Sequence, residues 1–196
     1  MACVTRVFLV RHGETSYNAV RRIQGWRDIA LDARGEQQAC AVAARLAAEI
    51  GAHVRIAAVV SSPLQRARRT AETIAAALAR TRPAGAVPPV ADEARLKEIG
   101  FGVVEGAFLD GVPEGADAVA NERSLALLRD VWQRWGAGDN TAAVPGGESP
   151  ADVAARARAA VNETLEKLFP PDEQKMFVDD EGVVVACCCC WVTLCL

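Results

Sequence analysis

The chain opens with a mostly apolar, β-branched run, Val4 to Val10 (VTRVFLV), which predicts a buried strand. The polar stretch RHGETSYN follows at once. From Asp32 to Ile50 the apolar positions recur at helical spacing, and Ala39, Val42, Ala43, Leu46 and Ile50 share one face. Asp32 is placed to cap this helix and Gly51 to end it. Val54 to Val60 predicts a second strand. Ser62-Pro63-Leu64-Gln65 then has the form of a helix start: serine as cap, proline at the first helical position, glutamine completing a capping box. Ala67, Ala71, Ile74 and Leu78 carry the buried stripe of that helix onward.

Residues 81–89 are proline-rich and predict a loop, with a short strand near Val87 to Val90. The 100–147 stretch is glycine-rich and irregular, apart from one helix predicted over Glu122 to Trp135. Ser149-Pro150-Ala151-Asp152 is a second helix start of the same kind. It leads through Val153, Ala157, Val161, Leu165 and Leu168 to a stop at Pro170-Pro171. Val183 to Cys187 predicts a last strand. Strand, helix, strand, helix and a final strand imply an α/β three-layer sandwich with a mostly parallel central sheet. No internal repeat or linker divides the chain. Residues 1–186 therefore read as one domain, with 100–147 as an insertion over the sheet and 187–196 as an atypical Cys-rich tail.

Hydrophobic residues make up 51% of the chain and the formal net charge is −3. The first value excludes disorder, and the second gives no general pull toward nucleic acid. The longest predominantly apolar stretch, Val183 to Leu196, is shorter than the roughly 20 residues a membrane-spanning helix needs. The first ten residues lack the form of a secretory signal. A cytoplasmic location is expected, where the terminal cysteines would stay reduced. Successive strand residues point to opposite faces, so Cys187, Cys188, Cys189 and Cys190 are poorly placed to chelate one ion. No metal cluster precedes them, and no metal or other cofactor is expected.

The polar residues acquire a chemistry from their position. In α/β sheets ligands sit outside the carboxyl ends of the strands. That edge carries Arg11 and His12 after the first strand, and Ser62 and Arg66 after the second. Arg66 falls in the first turn of a predicted helix, whose amides and dipole favour an anion. Two guanidiniums flanking an imidazole form a phosphate site with a nucleophile in it, and histidine can carry a phosphoryl group covalently. The other histidine, His53, precedes the second strand at the opposite sheet edge, about 20 Å away at ~3.3 Å per strand residue. It reads as a bystander.

Five blocks resemble the histidine phosphatase superfamily, which holds cofactor-dependent phosphoglycerate mutase and fructose-2,6-bisphosphatase-like phosphatases. They are R-H-G-E-T (11–15) with Asn18, Q-G-W-R-D (24–28), S-S-P-L-Q-R-A-R-R-T-A-E (61–72), L-K-E-I-G-F-G-V-V-E-G (96–106) and P-G-G-E-S (145–149). The resemblance implies a phosphoglycerate mutase-like fold with His12 as the phosphorylated nucleophile. Arg11 and Arg66 would hold the transferring phosphoryl group, with Thr15 and Asn18 beside it. Glu98 would be the general acid, and Gln24 and Gly25 would line the pocket mouth. A small phosphorylated metabolite is the implied partner, with neither nucleic acid nor membrane. Oligomeric state is open. Ile99, Gly100 and Phe101 stand where the mutases have R-H-Y within L-N-E-R-H-Y-G, which favours a phosphatase over a mutase.

The family pattern also breaks. It places a second histidine after its last central strand, in a string like V-V-S-H-G-G, and continues into further strands. Here the segment reads Val183-Val184-Val185-Ala186-Cys187-Cys188, with Cys188 near the histidine position. The expectation is a fold lacking the last strands and an impaired phosphatase. Mutase-type phosphoryl transfer and an inactive phosphate-binding form remain as alternatives.

Overall fold

A computed structural model describes residues 5–169 and 182–188. The order is β1 (Thr5–Arg11), α1 (Ser16–Ala19), α2 (Ala33–Ile50), β2 (Arg55–Ser61), α3 (Gln65–Ala79), β3 (Val90–Asp92), α4 (Ala118–Gly136), α5 (Pro150–Leu168) and β4 (Gly182–Cys188). Single 3₁₀ turns occupy Ala94–Leu96 and Gly102–Val104. Among the described residues the strands form one sheet in the order β1-β4-β2-β3. Every pair is parallel, and β4 inserts between β1 and β2. An uninterrupted apolar run suits such a central position, and Val184 and Val185 are buried.

Three layers result. On one face, α2 and α3 contribute Ala43, Leu46, Ile50, Ala71, Ile74 and Leu78 to a core with Val10, Ile56, Val59 and Val185 of the sheet. On the other, Ala160 of α5 meets Val60 of β2 and Leu96. The insertion has its own small core, in which Leu128 and Val131 of α4 pack on Val104, Ala107, Ala142, Val144 and Ile23. Val7 and Leu9 of β1, one of the two edge strands among the described residues, stay exposed.

Several element ends differ from the sequence expectation. Helix α3 starts at Gln65, because Leu64 is extended (ψ 131) and makes no side-chain cap. Ser62 Oγ accepts only a 3.4 Å bond from the Leu64 N–H. The cap comes instead from Asp28, whose Oδ1 accepts from the Gln65 N–H at 2.7 Å. Strand β3 begins at Val90 rather than Val87, since Pro88 and Pro89 have no N–H to give to a ladder. Helix α4 is longer than predicted and is capped by Asp117, and the short α1 was not predicted. Helix α5 starts as expected, with a full Ser149–Asp152 capping box and Pro150 in its first turn. Strand β4 carries Cys187 and Cys188 into the sheet. The remainder of the Cys-rich tail, and Pro170-Pro171, lie outside the described residues. No described helix is long and apolar enough to cross a membrane.

Candidate active site

Strand β1 ends at Arg11, and the chain turns immediately into His12 and Gly13. The turn is tight: a side chain at Gly13 would come within 2.3 Å of the Gly35 carbonyl oxygen at the start of α2. Glycines on both sides let backbone pack on backbone there. His12 is thereby buried, with 7% of its surface exposed. Its Nδ1 lies 2.6 Å from the Gly13 carbonyl. A carbonyl only accepts, so Nδ1 carries the proton and Nε2 is left unprotonated, with a lone pair that accepts.

Arg66, in the first turn of α3, is fully buried. Its Nε donates to His12 Nε2 at 3.2 Å. Nη1 donates to the Arg27 carbonyl and Nη2 to the Gly25 carbonyl, each at 2.8 Å. Gly25 must be glycine for this: it has φ +55, and a side chain there would sit 2.1 Å from Glu105 Oε1. Thr70, one turn along α3, donates to the Arg66 carbonyl and accepts from the Gly13 N–H, tying the two halves of the site together. Among the described residues no carboxylate forms an ion pair with Arg66. A buried guanidinium held only by neutral acceptors is a site prepared for an anion.

Two titrating groups complete the picture. Burial first, then the charges of Arg66 and Arg11, push His12 down to about 4, against the opposing effect of the Gly13 hydrogen bond. The imidazole is therefore neutral at pH 7. Burial pushes Glu98 up to about 7, although the Ile99 N–H and the charges of Arg66, Arg11 and Arg156 favour its ionised form. The same two guanidiniums act on both groups. A neutral imidazole with a bare nitrogen, an anion cradle and a carboxyl group poised near neutrality are the parts of nucleophilic phosphoryl transfer with acid assistance.

Residues 7–194 match the family model described as histidine phosphatase superfamily (branch 1). The chain belongs to this superfamily. It is 38% identical over 162 residues to the "Probable phosphoglycerate mutase GpmB" of Salmonella paratyphi B, an alignment covering 82% of this chain and 63% of that one. The chain thus spans less than two thirds of the length of that relative. Among solved structures, it is similar to a mycobacterial glucosyl-3-phosphoglycerate phosphatase complexed with VO3. The TM-score is 0.65 with 30% identity, over 93% of this chain and 75% of that one. It is also similar to YhfR of Bacillus stearothermophilus, with a TM-score of 0.64 and 27% identity, over 94% and 74% of the two chains.

Within this histidine phosphatase fold, His12, Arg66 and Gly25 are joined by hydrogen bonds, and Glu98 lies within reach of the charges of Arg66 and Arg11. Arg11 lies at the same edge, exposed, with its guanidinium unpaired among the described residues. Thr15 is placed differently from a ligand contact. Its side chain is wholly buried, and Oγ1 lies 2.8 Å from Gln24 Oε1 and 3.1 Å from Asn18 Oδ1. It ties the half-buried Asn18 and the buried Gln24 together from behind. Cys188 is in register with Arg11 in β4. His53 is exposed, in the turn before β2. Among the described residues, no group of three or more His, Cys, Asp or Glu side chains is arranged to hold a metal ion.

Sequence reasoning missed four supports of the site. These are Asp28, Thr70, Trp26 and the Glu148–Arg156 pair. Trp26 Nε1 donates to the Glu98 carbonyl at 2.8 Å, and Lys97 lies over the Trp26 ring at 3.8 Å. Most of their contacts reach residues far away in sequence, so although Trp26, Asp28, Thr70 and Glu148 fall within the family-like blocks, the sequence did not show what they hold.

Proposed function

We propose that the chain is a phosphomonoesterase that hydrolyses a small phosphorylated metabolite through a phosphohistidine on His12. The observation that carries this reading is the unprotonated Nε2 of a buried, neutral His12 beside a fully buried Arg66 that has no carboxylate partner among the described residues. Arg66 and the exposed Arg11 hold the phosphoryl oxygens, with Asn18, Gln24 and Gly25 around them. Nε2 attacks phosphorus, and the bond from phosphorus to the ester oxygen breaks. Glu98 gives its proton to the departing oxygen. Water then attacks the phosphoimidazole, Glu98 takes the proton back, and orthophosphate leaves with His12 neutral again.

Hydrolysis is favoured over return transfer by what lines the acid's loop. Ile99 is buried with Val153, Phe101 and Trp135, and Gly100 lies against the Trp26 ring. Neither offers a charged group to retain a reaction product. A low rate is part of the proposal. Cys188, in register with Arg11, brings no second imidazole, and losing one preorganised charge-stabilising group costs about 10²–10³ in rate. Likeness to the Salmonella protein favours a second reading, transfer between two positions of a phosphoglycerate.

The test is release of orthophosphate from a panel of phosphomonoesters, with H12A as control and the phosphorylated product analysed for migration. Release that depends on His12 supports the proposal. Release that survives H12A sinks it. Migration without release selects the mutase reading, and phosphate binding without turnover selects an inactive binding form.

A further inference from the structure

The guanidinium of Arg156, on α5, touches the loop that carries Glu98 at three carbonyls. Nη1 donates to those of Arg95 and Lys97 at 2.5 and 2.8 Å, and Nη2 to that of Glu98 at 2.9 Å. Its Nε and Nη2 also donate to the two oxygens of Glu148, each at 2.8 Å. Glu148 Oε2 in turn accepts from the Gly100 N–H at 2.9 Å. The backbone is thus gripped on both sides of Glu98, and Glu98 Oε1 accepts from the Ile99 N–H held between the grips. Arg156 and Glu148 are both largely buried, with side-chain exposures of 16% and 19%. An ion pair in such a place is costly to assemble and is retained where its geometry matters.

We infer that the Arg156–Glu148 pair is a positioning device for the acid: it fixes the Glu98 loop against α5 and holds one positive charge on the backbone of Glu98 itself. This rests on Glu98 being the acid of the proposed reaction. Arg156 touches no reacting atom. It acts through position, by holding five oxygens of residues 95, 97, 98 and 148 with the donors of one guanidinium, and through charge. The charged groups facing Glu98 are Arg66 from α3, Arg11 from β1 and Arg156 from α5, all favouring the carboxylate against burial. Removing Arg156 takes away one of these three, so the carboxyl should hold its proton to higher pH.

The experiment separates charge from position by comparing R156Q with R156K. Carbon-13 NMR of the Glu98 carboxyl should show its titration moved upward in R156Q and near the wild-type value in R156K, which keeps the charge. This readout does not need turnover. In kinetics, the two variants should both lose more than tenfold on glycerol 3-phosphate, whose alkoxide leaves poorly without an acid. They should lose less than threefold on p-nitrophenyl phosphate, whose leaving group needs little help. If the Glu98 titration stays in place in R156Q and both substrates slow equally, Arg156 is only a packing residue and the inference is overturned. If E98Q itself slows both substrates equally, the acid assignment fails, while the titration still reads the clamp. Should R156Q not fold, E148Q retains an oxygen for the Gly100 N–H and should show the same substrate bias in milder form. An unchanged ratio there also overturns the inference.

Discussion

Arg66 Nε donates to His12 Nε2 across 3.2 Å, so the buried cation occupies the lone pair of the nitrogen proposed to attack phosphorus. The contact orients the imidazole and adds to burial in keeping it neutral. It also places a positive charge where phosphoryl oxygens would lie. R66M should therefore do two things: abolish orthophosphate binding and raise the His12 pKa from about 4. The chain has two histidines, so a proton NMR titration reads both, with exposed His53 as internal reference. An unmoved His12 would show that Arg66 does not govern it.

The pH dependence follows from the two shifted groups. The proposed reaction needs His12 neutral, true above about 4, and Glu98 protonated, true below about 7. The profile of kcat/KM should be a bell with those limbs, centred on the acid side of neutrality. E98Q should lose the alkaline limb. A wild-type rate still rising above pH 8 would contradict the assignment of Glu98.

Stability should respond to the same groups with opposite signs. Glu98 is raised from 4.5 to about 7 in the folded chain, so the folded form holds the proton more tightly. Its contribution is complete below 4.5 and is lost as pH rises to about 7. E98Q should gain up to about 3 kcal/mol on the wild type between pH 4.5 and pH 8. His12 is depressed from 6.5 to about 4, so its contribution is present above 6.5 and is lost as pH falls to about 4. Urea unfolding of E98Q, H12N and wild type at pH 4.5 and 8 measures both signs.

Gly25 is the backbone position on which the Arg66 cradle depends. An alanine there meets Glu105 Oε1, and that oxygen already accepts from the N–H groups of Trp26 and Phe101. G25A should cost about 1–3 kcal/mol and weaken phosphate binding together. Thermal unfolding with and without orthophosphate checks both, and a wild-type midpoint would refute the close approach.

The cap on α3 comes from another segment. D28A should cost about 1 kcal/mol, the usual value of an N-cap, and S62A distinctly less. Equal losses in the two variants would restore the local capping box.

The amphipathic stripes of α2 and α3, the Ser149 box and the apolar run of β4 were legible because each depends on contacts within a few residues. The order β1-β4-β2-β3 was not, since it rests on which strand best tolerates burial on both faces. His12 and Arg66 could be placed at one sheet edge from strand–helix alternation alone. The wholly buried Thr15 could not, because its contacts with Asn18 and Gln24 follow no helix or strand period, nor could the capping Asp28 and the Arg156–Glu148 clamp, because hydrogen bonds spanning tens of residues leave no periodic trace. By itself, then, the sequence determined the main helices and strands, the parallel fold and the placing of Arg11, His12 and Arg66 at one sheet edge, through local periodicity and the position of strand ends. Tertiary structure alone decided that His12 is neutral, that Glu98 holds its proton near neutrality and that Arg66 has no carboxylate partner among the described residues. Those properties come from burial and from charges brought together across the chain.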